Sequence, residues 1–90
     1  MPDSLVIIPT YNEKENIERM IRKVFSLTHD FHLLIIDDGS PDGTANIVKN
    51  LQYEFPHKLF IEERAGKQGL GTAYIHGFKW ATKRNYDYIF

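Results

Sequence analysis

The segment at residues 9–13, the first loop, brings an aromatic ring, an amide and a carboxylate together in Tyr11, Asn12 and Glu13. A ring can stack on a flat base or ribose, and the two polar side chains can hydrogen-bond to its edge. A plainer role fits equally, because Pro9 stops a strand and the helix dipole favours an acid in the first turn. The segment lacks the G-x-G-x-x-G turn of a dinucleotide site, and the chain has no P-loop. Nicotinamide and flavin cofactors are therefore not expected.

The second loop, residues 37–44, contains three carboxylates: Asp37, Asp38 and Asp42. Neighbouring residues at a strand end point to opposite faces, so we expect one of Asp37 and Asp38 to face a cleft and the other to brace nearby backbone. A cleft-facing Asp38 could accept hydrogen bonds from the N–H groups of a base. Asp-Gly and Ser-Pro-Asp-Gly are also ordinary turn and cap sequences, so a purely structural role stays open.

The third loop, residues 64–72, holds three glycines and the cations Arg64 and Lys67 ahead of a predicted helix. Free N–H groups and the dipole make a helix N-terminus suitable for an anion. Arg64 and Lys67 could add a fork or a point charge to such a site. A loop with solvated charges is the alternative.

The elements that position these loops are predicted from the pattern of apolar residues. Four apolar runs, at residues 5–8, 33–36, 58–61 and 86–90, indicate strands, and three stretches with helical spacing lie between them. Asn12 with Glu15 resembles a capping box at the start of the first helix. Alternating strands and helices predict a parallel sheet, with ligands at the carboxyl ends of its strands. Because the first two runs are the most apolar, we predict the strand order 3-2-1-4.

Composition excludes several classes of function. A hydrophobic content of 42% and a charged content of 26% indicate a globular protein and argue against disorder. A net charge of −1 gives no bulk attraction to nucleic acid, so no nucleic-acid partner is expected. The chain has no cysteine, which excludes disulfides, a thiolate zinc site and a cysteine nucleophile, and fits a cytoplasmic location.

Taken together, the three loops resemble those of family 2 glycosyltransferases of the GT-A fold. The matching segments are IPTYNE at residues 8–13 and IDDGSPDGT at residues 36–44. GKQGLGTAY at residues 66–74 is similar to the dolichyl- or polyprenyl-phosphate mannose synthase branch. The resemblance covers nearly the whole chain. It implies a Rossmann-like α/β fold in which residues 1–90 form an N-terminal part of the nucleotide-sugar-binding domain.

The resemblance also implies roles for individual residues. It implies five nucleotide-binding positions: Pro9, Tyr11, Glu13, Ile36 and Asp38. Asp37 matches a bracing acid of the same motif. Three further positions match the loop that closes the donor site: Lys67, Gly69 and Gly71.

The reaction implied by the resemblance is an inverting transfer of mannose from GDP-mannose to a polyprenyl or dolichyl phosphate. The full-length enzyme would work at the cytoplasmic face of a membrane. The family needs Mg²⁺ or Mn²⁺ held by a D-x-D motif, which is expected after Phe90. No metal site and no catalytic residue are therefore expected within the 90 residues, which we expect to be inactive alone. With the run at residues 86–90 as an exposed sheet edge, the fragment is expected to form a homodimer.

Two alternatives accompany this hypothesis. A family 2 enzyme that uses a polysaccharide or another acceptor would share the three loops. A non-catalytic regulatory module of receiver type would need an acid pair after its first strand and another Asp after its third. Here the acid pair follows the second strand, and Glu62 and Glu63 follow the third run.

Overall fold

The computed structural model describes residues 3–66 and 69–90 of the chain. Its elements are β1 (Ser4–Thr10), α1 (Ile17–Phe25), β2 (Phe31–Asp37), α2 (Thr44–Leu51), β3 (Leu59–Glu63), α3 (Leu70–Thr82) and β4 (Tyr88–Ile89). The strands form one parallel sheet in the order β3-β2-β1-β4, which confirms the predicted order. A receiver-type sheet has the order 2-1-3-4-5, so that alternative is wrong.

The register of the sheet brings the carboxyl ends of β1, β2 and β3 together at one edge, the one that lies across the strand ends. β1 and β2 pair up to Thr10 opposite Asp37, and β2 and β3 pair up to Asp37 opposite Glu63. The first, second and third loops all leave the sheet from this edge. Residues that lie far apart in the sequence are therefore close in space here.

Helices cover both faces of the sheet. One core layer, beneath α1 and α2, contains Ile17, Ile21, Leu33, Ile35, Val48, Leu51 and Leu59. The opposite layer, beneath α3, contains Leu5, Ile7, Leu34, Ile36, Ala73 and Ala81. Complete burial of one such aliphatic side chain stabilises the fold by about 1.5–3 kcal/mol. Coverage on both faces explains why the runs in β1 and β2 are continuously apolar.

Helix α3 lies unusually close to β1 because residue 77 is a glycine. A Cβ atom at Gly77 would lie 2.8 Å from Ile7 Cδ1 and 2.9 Å from Ile7 Cγ2. A larger residue would force the helix away from the strand. This contact fixes the position of the N-terminus of α3 relative to the end of β1.

The first helix begins later than the sequence suggested. α1 begins at Ile17 with Asn16 as its N-cap, and Asn12 has a φ of +56°. The carbonyl of Glu13 accepts hydrogen bonds from the N–H groups of Asn16 and Ile17, at 2.9 and 2.8 Å. The predicted capping box at Asn12 is therefore wrong. The N–H of Asn12 is already used, because it donates to Ser40.

The sheet edge at β4 predicts self-association of the 90-residue chain. Phe90 extends the pairing with β1, while the side chains of Tyr88 and Phe90 are 59% and 62% exposed. A strand edge with exposed rings invites pairing with another chain, and two-fold dimers are the commonest result. We expect sedimentation equilibrium to show a species of twice 10.5 kDa at high concentration. A single 10.5 kDa species at every concentration would contradict this.

Within residues 3–66 and 69–90, none of the helices has the length and hydropathy needed to traverse a bilayer.

Candidate functional site

Hydrogen bonds hold the first loop against the second. Three consecutive backbone N–H groups, in the first loop and directly after it, donate to side chains of the second loop. The pairs are Asn12 with Ser40 Oγ at 2.9 Å, Glu13 with Thr44 Oγ1 at 3.1 Å and Lys14 with Asp42 Oδ2 at 3.1 Å. The backbone next to Tyr11 is therefore fixed by residues about 30 positions further along the chain.

Asp42 also contacts the first residue of helix α2, Thr44. Its Oδ1 accepts hydrogen bonds from the N–H and the hydroxyl of Thr44. The hydroxyl of Thr44, with the backbone N–H groups of Lys14 and Thr44, lowers the pKa of Asp42 below its ordinary value. The carboxylate is thus committed to the loops in its charged form.

Asp37 joins the ends of β1 and β2 to the turn that follows. Its side chain is fully buried and accepts three hydrogen bonds: from Thr10 Oγ1 at 2.7 Å, Ser40 N–H at 3.0 Å and Ser40 Oγ at 2.7 Å. The N–H of Asp38 completes the junction by donating to the carbonyl of Thr10 at 3.1 Å. Asp37 therefore braces the site from inside the protein.

Asp38 forms a bidentate ion pair with Arg64. Arg64 Nε lies 2.7 Å from Asp38 Oδ1, and Arg64 Nη2 lies 2.9 Å from Asp38 Oδ2. Each side chain is only 8% exposed. Arg64 also donates to Thr72 Oγ1 at 3.1 Å and to the carbonyl of Gly69 at 3.4 Å. The pair therefore links the second loop to the N-terminus of α3.

The second and third loops also touch through their backbones. Gly39 has a φ of +70°, in the left-handed region that favours glycine. A Cβ atom there would lie 2.8 Å from the backbone N of Gly66 and 3.3 Å from the carbonyl oxygen of Arg64. Because backbone atoms cannot rotate away as a side chain can, only glycine fits between the two loops.

We expect Gly39→Ala to lower the free energy of unfolding by at least about 2 kcal/mol and to displace the third loop. Gly43→Ala is the matched control, because Gly43 has a φ of +93° but nothing lies within 4 Å of its added Cβ. The control carries the backbone strain without the clash, and urea denaturation measures both. Equal losses in the two variants would show that the contact with the third loop is unimportant.

The three loops enclose a notch of about 110 Å³ at the edge of the sheet. Its lining consists of Pro9, Thr10, Tyr11, Asp38, Gly69 and Leu70. Pockets for complete small molecules usually measure about 300–1,000 Å³, so the notch is suited to one flat ring. Tyr11, which is 38% exposed, and Asp38 lie at its wall.

The structure distributes the predicted site residues over several environments. Four of them line the notch: Pro9, Tyr11, Asp38 and Gly69. Glu13 is half-buried next to Thr44, and Gly71 is exposed in the first turn of α3. Ile36 is completely buried beneath α3 and does not line the notch. Lys67 lies outside the described residues.

Two contributions to the site were missed in the sequence. Leu70, the first residue of α3, lines the notch. Arg64, which was expected to attract an anion, has its guanidinium on Asp38 instead. A signal for this pair existed, because Asp38 and Arg64 directly follow neighbouring strands and carry opposite charges.

The described part of the chain does not fit a metal ion. Within residues 3–66 and 69–90, no three His, Asp or Glu side chains come close enough together to hold one. The carboxylates of Asp37, Asp38 and Asp42 all accept hydrogen bonds from protein groups. The oxygen donors that Mg²⁺ or Mn²⁺ requires are therefore not assembled by these residues.

Comparison with known proteins decides the family. Residues 5–90 match glycosyl transferase family 2. The chain belongs to that family. The match covers all three loops, and the predicted family is confirmed.

Two bacterial relatives are mannosyl-transferring enzymes by name. The chain is 42% identical over 86 residues to a polyprenol monophosphomannose synthase of Mycolicibacterium smegmatis, covering 96% of this chain and 32% of that protein. It is 39% identical over 85 residues to an undecaprenyl-phosphate mannosyltransferase of Micrococcus luteus, and this match covers 94% of this chain and 35% of that protein. The family 2 chain thus spans about a third of the length of these curated relatives.

A solved structure confirms the fold. A mannosyltransferase from Pyrobaculum calidifontis, in complex with GDP-Man and Mn²⁺, superimposes with a TM-score of 0.81 at 25% sequence identity. The match covers 88% of this chain and 24% of that chain. The parallel sheet in the order 3-2-1-4 with flanking helices therefore matches a GT-A mannosyltransferase, as predicted.

Proposed function

We propose that this family 2 chain binds the nucleotide of a sugar donor, as part of an inverting enzyme that transfers mannose from GDP-mannose to a polyprenyl phosphate. The observation that carries this proposal is the notch, where Tyr11 and the buried Asp38 meet at the carboxyl ends of β1 and β2. In open parallel sheets, ligands bind at this edge. The names of the two bacterial relatives support mannose as the sugar and polyprenyl phosphate as the acceptor, and favour this acceptor over a polysaccharide.

Each element of the site has a task in this proposal. The ring of Tyr11 stacks on the base, and the carboxylate of Asp38 accepts hydrogen bonds from the base edge. Glu13 contacts the ribose hydroxyls, Pro9 forms part of the wall, and Ile36 supports the site from the core beneath α3. Asp37 keeps the ends of β1 and β2 in register. The third loop, with Lys67, Gly69 and Gly71, closes the site over the diphosphate at the N-terminus of α3.

The chemical step itself needs more than these residues. An oxygen of the acceptor phosphate attacks the anomeric carbon, the bond from that carbon to the diphosphate breaks, and GDP leaves. The acceptor is already anionic, so no strong general base is required. When bound, Mg²⁺ or Mn²⁺ would supply positive charge beside the leaving diphosphate. We propose that a D-x-D pair beyond Phe90 binds it in the complete enzyme, which works on its lipid acceptor at the cytoplasmic face of a membrane.

Binding of GDP tests the proposal directly. We expect titration calorimetry to give a dissociation constant between about 1 μM and 1 mM, because the described residues provide a base slot but no metal. Tyr11→Ala should weaken binding by roughly 5- to 140-fold, since stacking of a base on an aromatic ring contributes about 1–3 kcal/mol.

Tyr53→Ala is the matched control for this experiment. Tyr53 is 89% exposed and lies beyond the C-terminus of α2, away from the notch. Its loss should leave the affinity for GDP unchanged. If the two tyrosine variants bind GDP equally well, the notch is not the base site.

A further inference from the structure

The charges of the chain are unevenly distributed along the sequence. Residues 64–86 contain five cationic side chains and no acidic one, although the whole chain has a net charge of −1. Three of the five, Lys79, Lys83 and Arg84, lie in and directly after the last turn of α3. The positive charge of this segment is therefore concentrated at the C-terminal half of one helix.

Carboxylates do not neutralise these three cations. Within the part of the chain that the structure describes, none of Lys79, Lys83 and Arg84 belongs to an ion pair. All three line a groove of about 420 Å³ beside α3. The carboxylate of Glu62, in the same groove, is paired with His76, whose Nε2 lies 3.1 Å from Glu62 Oε1. The groove therefore offers positive charge to an anionic group from outside.

Helix α3 also exposes apolar side chains next to these cations. Its buried residues recur at every fourth position, so the helical period places Ile75 and Lys79 on the side away from the sheet. Ile75 is 55% exposed, and Phe78 is 44% exposed. Over their full described lengths, α1 and α2 expose no large apolar side chain. Only α3 among the described helices therefore presents apolar and unpaired cationic side chains on one surface.

This combination is typical of helices that lie on an anionic membrane. Cations near a helix C-terminus also suit the helix dipole, but the dipole does not account for exposed apolar side chains beside them. A soluble anion such as phosphate would use the cations alone. A bilayer uses both kinds of side chain, because lysines approach anionic headgroups while apolar side chains enter the boundary between headgroups and acyl chains.

We propose that the outer face of α3, formed by Ile75, Phe78, Lys79, Lys83 and Arg84, docks on the surface of a membrane that contains anionic lipids. This inference rests on the proposed function in one respect, since a polyprenyl-phosphate acceptor is held in a membrane. The N-terminus of the same helix borders the notch. Docking along α3 therefore brings the donor site to the bilayer surface, where the acceptor phosphate lies.

Co-sedimentation with lipid vesicles tests the inference. At low ionic strength, we expect the wild-type chain to bind vesicles of phosphatidylglycerol and phosphatidylcholine in equal parts, and not vesicles of phosphatidylcholine alone. Lys79→Gln/Lys83→Gln should weaken this binding by about 30-fold, because each cation near an anionic surface contributes about fivefold. Ile75→Gln, which keeps every charge, should weaken it by about tenfold. Added salt should also weaken it, since salt screens exposed charges.

Lys23→Gln/Lys49→Gln is the matched control. Both lysines are exposed, on α1 and α2, which cover the face of the sheet opposite to α3. This variant has the same net charge as Lys79→Gln/Lys83→Gln, and it should bind vesicles as the wild type does. Circular dichroism verifies that each variant is folded.

Four outcomes would overturn the inference. A wild-type chain that does not bind the anionic vesicles overturns it, and titration with GDP decides separately on the proposed function. Equal binding to phosphatidylcholine alone would indicate apolar adsorption without a role for charge. Equal losses in the two double-lysine variants would mean that net charge, and not the outer face of α3, drives binding. If Ile75→Gln binds vesicles as the wild type does, and RNA binds as tightly as the vesicles, the surface is a general site for polyanions.

Discussion

Substitution of either Asp38 or Arg64 by an apolar residue is expected to lower the free energy of unfolding by about 3–5 kcal/mol. Asp38→Leu leaves the buried guanidinium without its carboxylate, and Arg64→Met leaves the buried carboxylate without its fork. A 90-residue domain is typically stable by only about 5–13 kcal/mol. Each single variant should therefore lose a large fraction of its stability in urea denaturation.

The double variant Asp38→Leu/Arg64→Met should behave very differently. With both charges gone, the cost of burying them disappears, so its stability should be close to that of the wild type or higher by about 1–4 kcal/mol. The two substitutions are therefore expected to be strongly non-additive. Additive losses would show that the two side chains contribute to stability independently, with no energetic coupling between them. The double variant should still fail to bind GDP.

The exposed ion pair of Lys49 and Glu63 is the matched control for this comparison of single and double variants. Their side chains are 48% and 47% exposed, and the charged atoms lie 2.7 Å apart. Exposed pairs typically contribute about 0–1 kcal/mol. Lys49→Met and Glu63→Leu should each change the free energy of unfolding little. The difference between the losses at the buried pair and those at the exposed pair then reports the effect of burial.

Asp37→Ala is the second substitution with a large expected effect, a loss of about 3 kcal/mol in the free energy of unfolding. The variant leaves the hydroxyl of Thr10 and the N–H of Ser40 without their buried acceptor. Hydrogen bonds to charged groups contribute about 1.5–3 kcal/mol each, although water can re-satisfy part of the loss. For a domain of this size, a loss of 3 kcal/mol lowers the melting temperature by roughly 12–24 °C.

Asp37→Asn separates the shape of this side chain from its charge. Asparagine keeps one acceptor oxygen of nearly the same position, so the variant should lose about half as much stability as Asp37→Ala. Thermal unfolding followed by circular dichroism gives both values. A loss of less than about 1 kcal/mol in Asp37→Ala would mean that the junction of β1 and β2 does not depend on this acid.

The order of the sheet could be predicted because the burial of its strands is visible in the sequence. The run at residues 33–36 is completely buried, and the run at residues 5–8 alternates between buried and partly buried residues, whereas β3 contains Glu62 and Glu63. A strand with helices over both faces needs an uninterrupted apolar run, and an edge strand does not. The length of β4 was harder to predict than that of the interior strands, because the residues of β4 pair only with β1.

The contacts between the loops were less predictable for a physical reason. Asp37 and Asp38 were expected to divide into a bracing and a cleft-facing acid, since adjacent side chains alternate in a strand. The partners of Asn12 and Asp38, in contrast, depend on which strand ends lie side by side. Ser40 is 28 positions from Asn12, and Arg64 is 26 positions from Asp38. Local propensity favoured a capping box at Asn12, and this tertiary contact overrode it.

The double use of Thr44 and Asp42 has a consequence for local opening. Asp42 accepts the N–H and the hydroxyl of Thr44, the first residue of α2, and the same two side chains accept the N–H groups of Lys14 and Glu13. Fraying of α2 at its N-terminus must therefore release the backbone beside Tyr11, and movement of that backbone removes partners from the helix end. The two segments open and close as one cooperative unit, although they belong to different parts of the chain. A ligand that holds Tyr11 in place consequently slows amide hydrogen exchange at the start of α2, which it never touches.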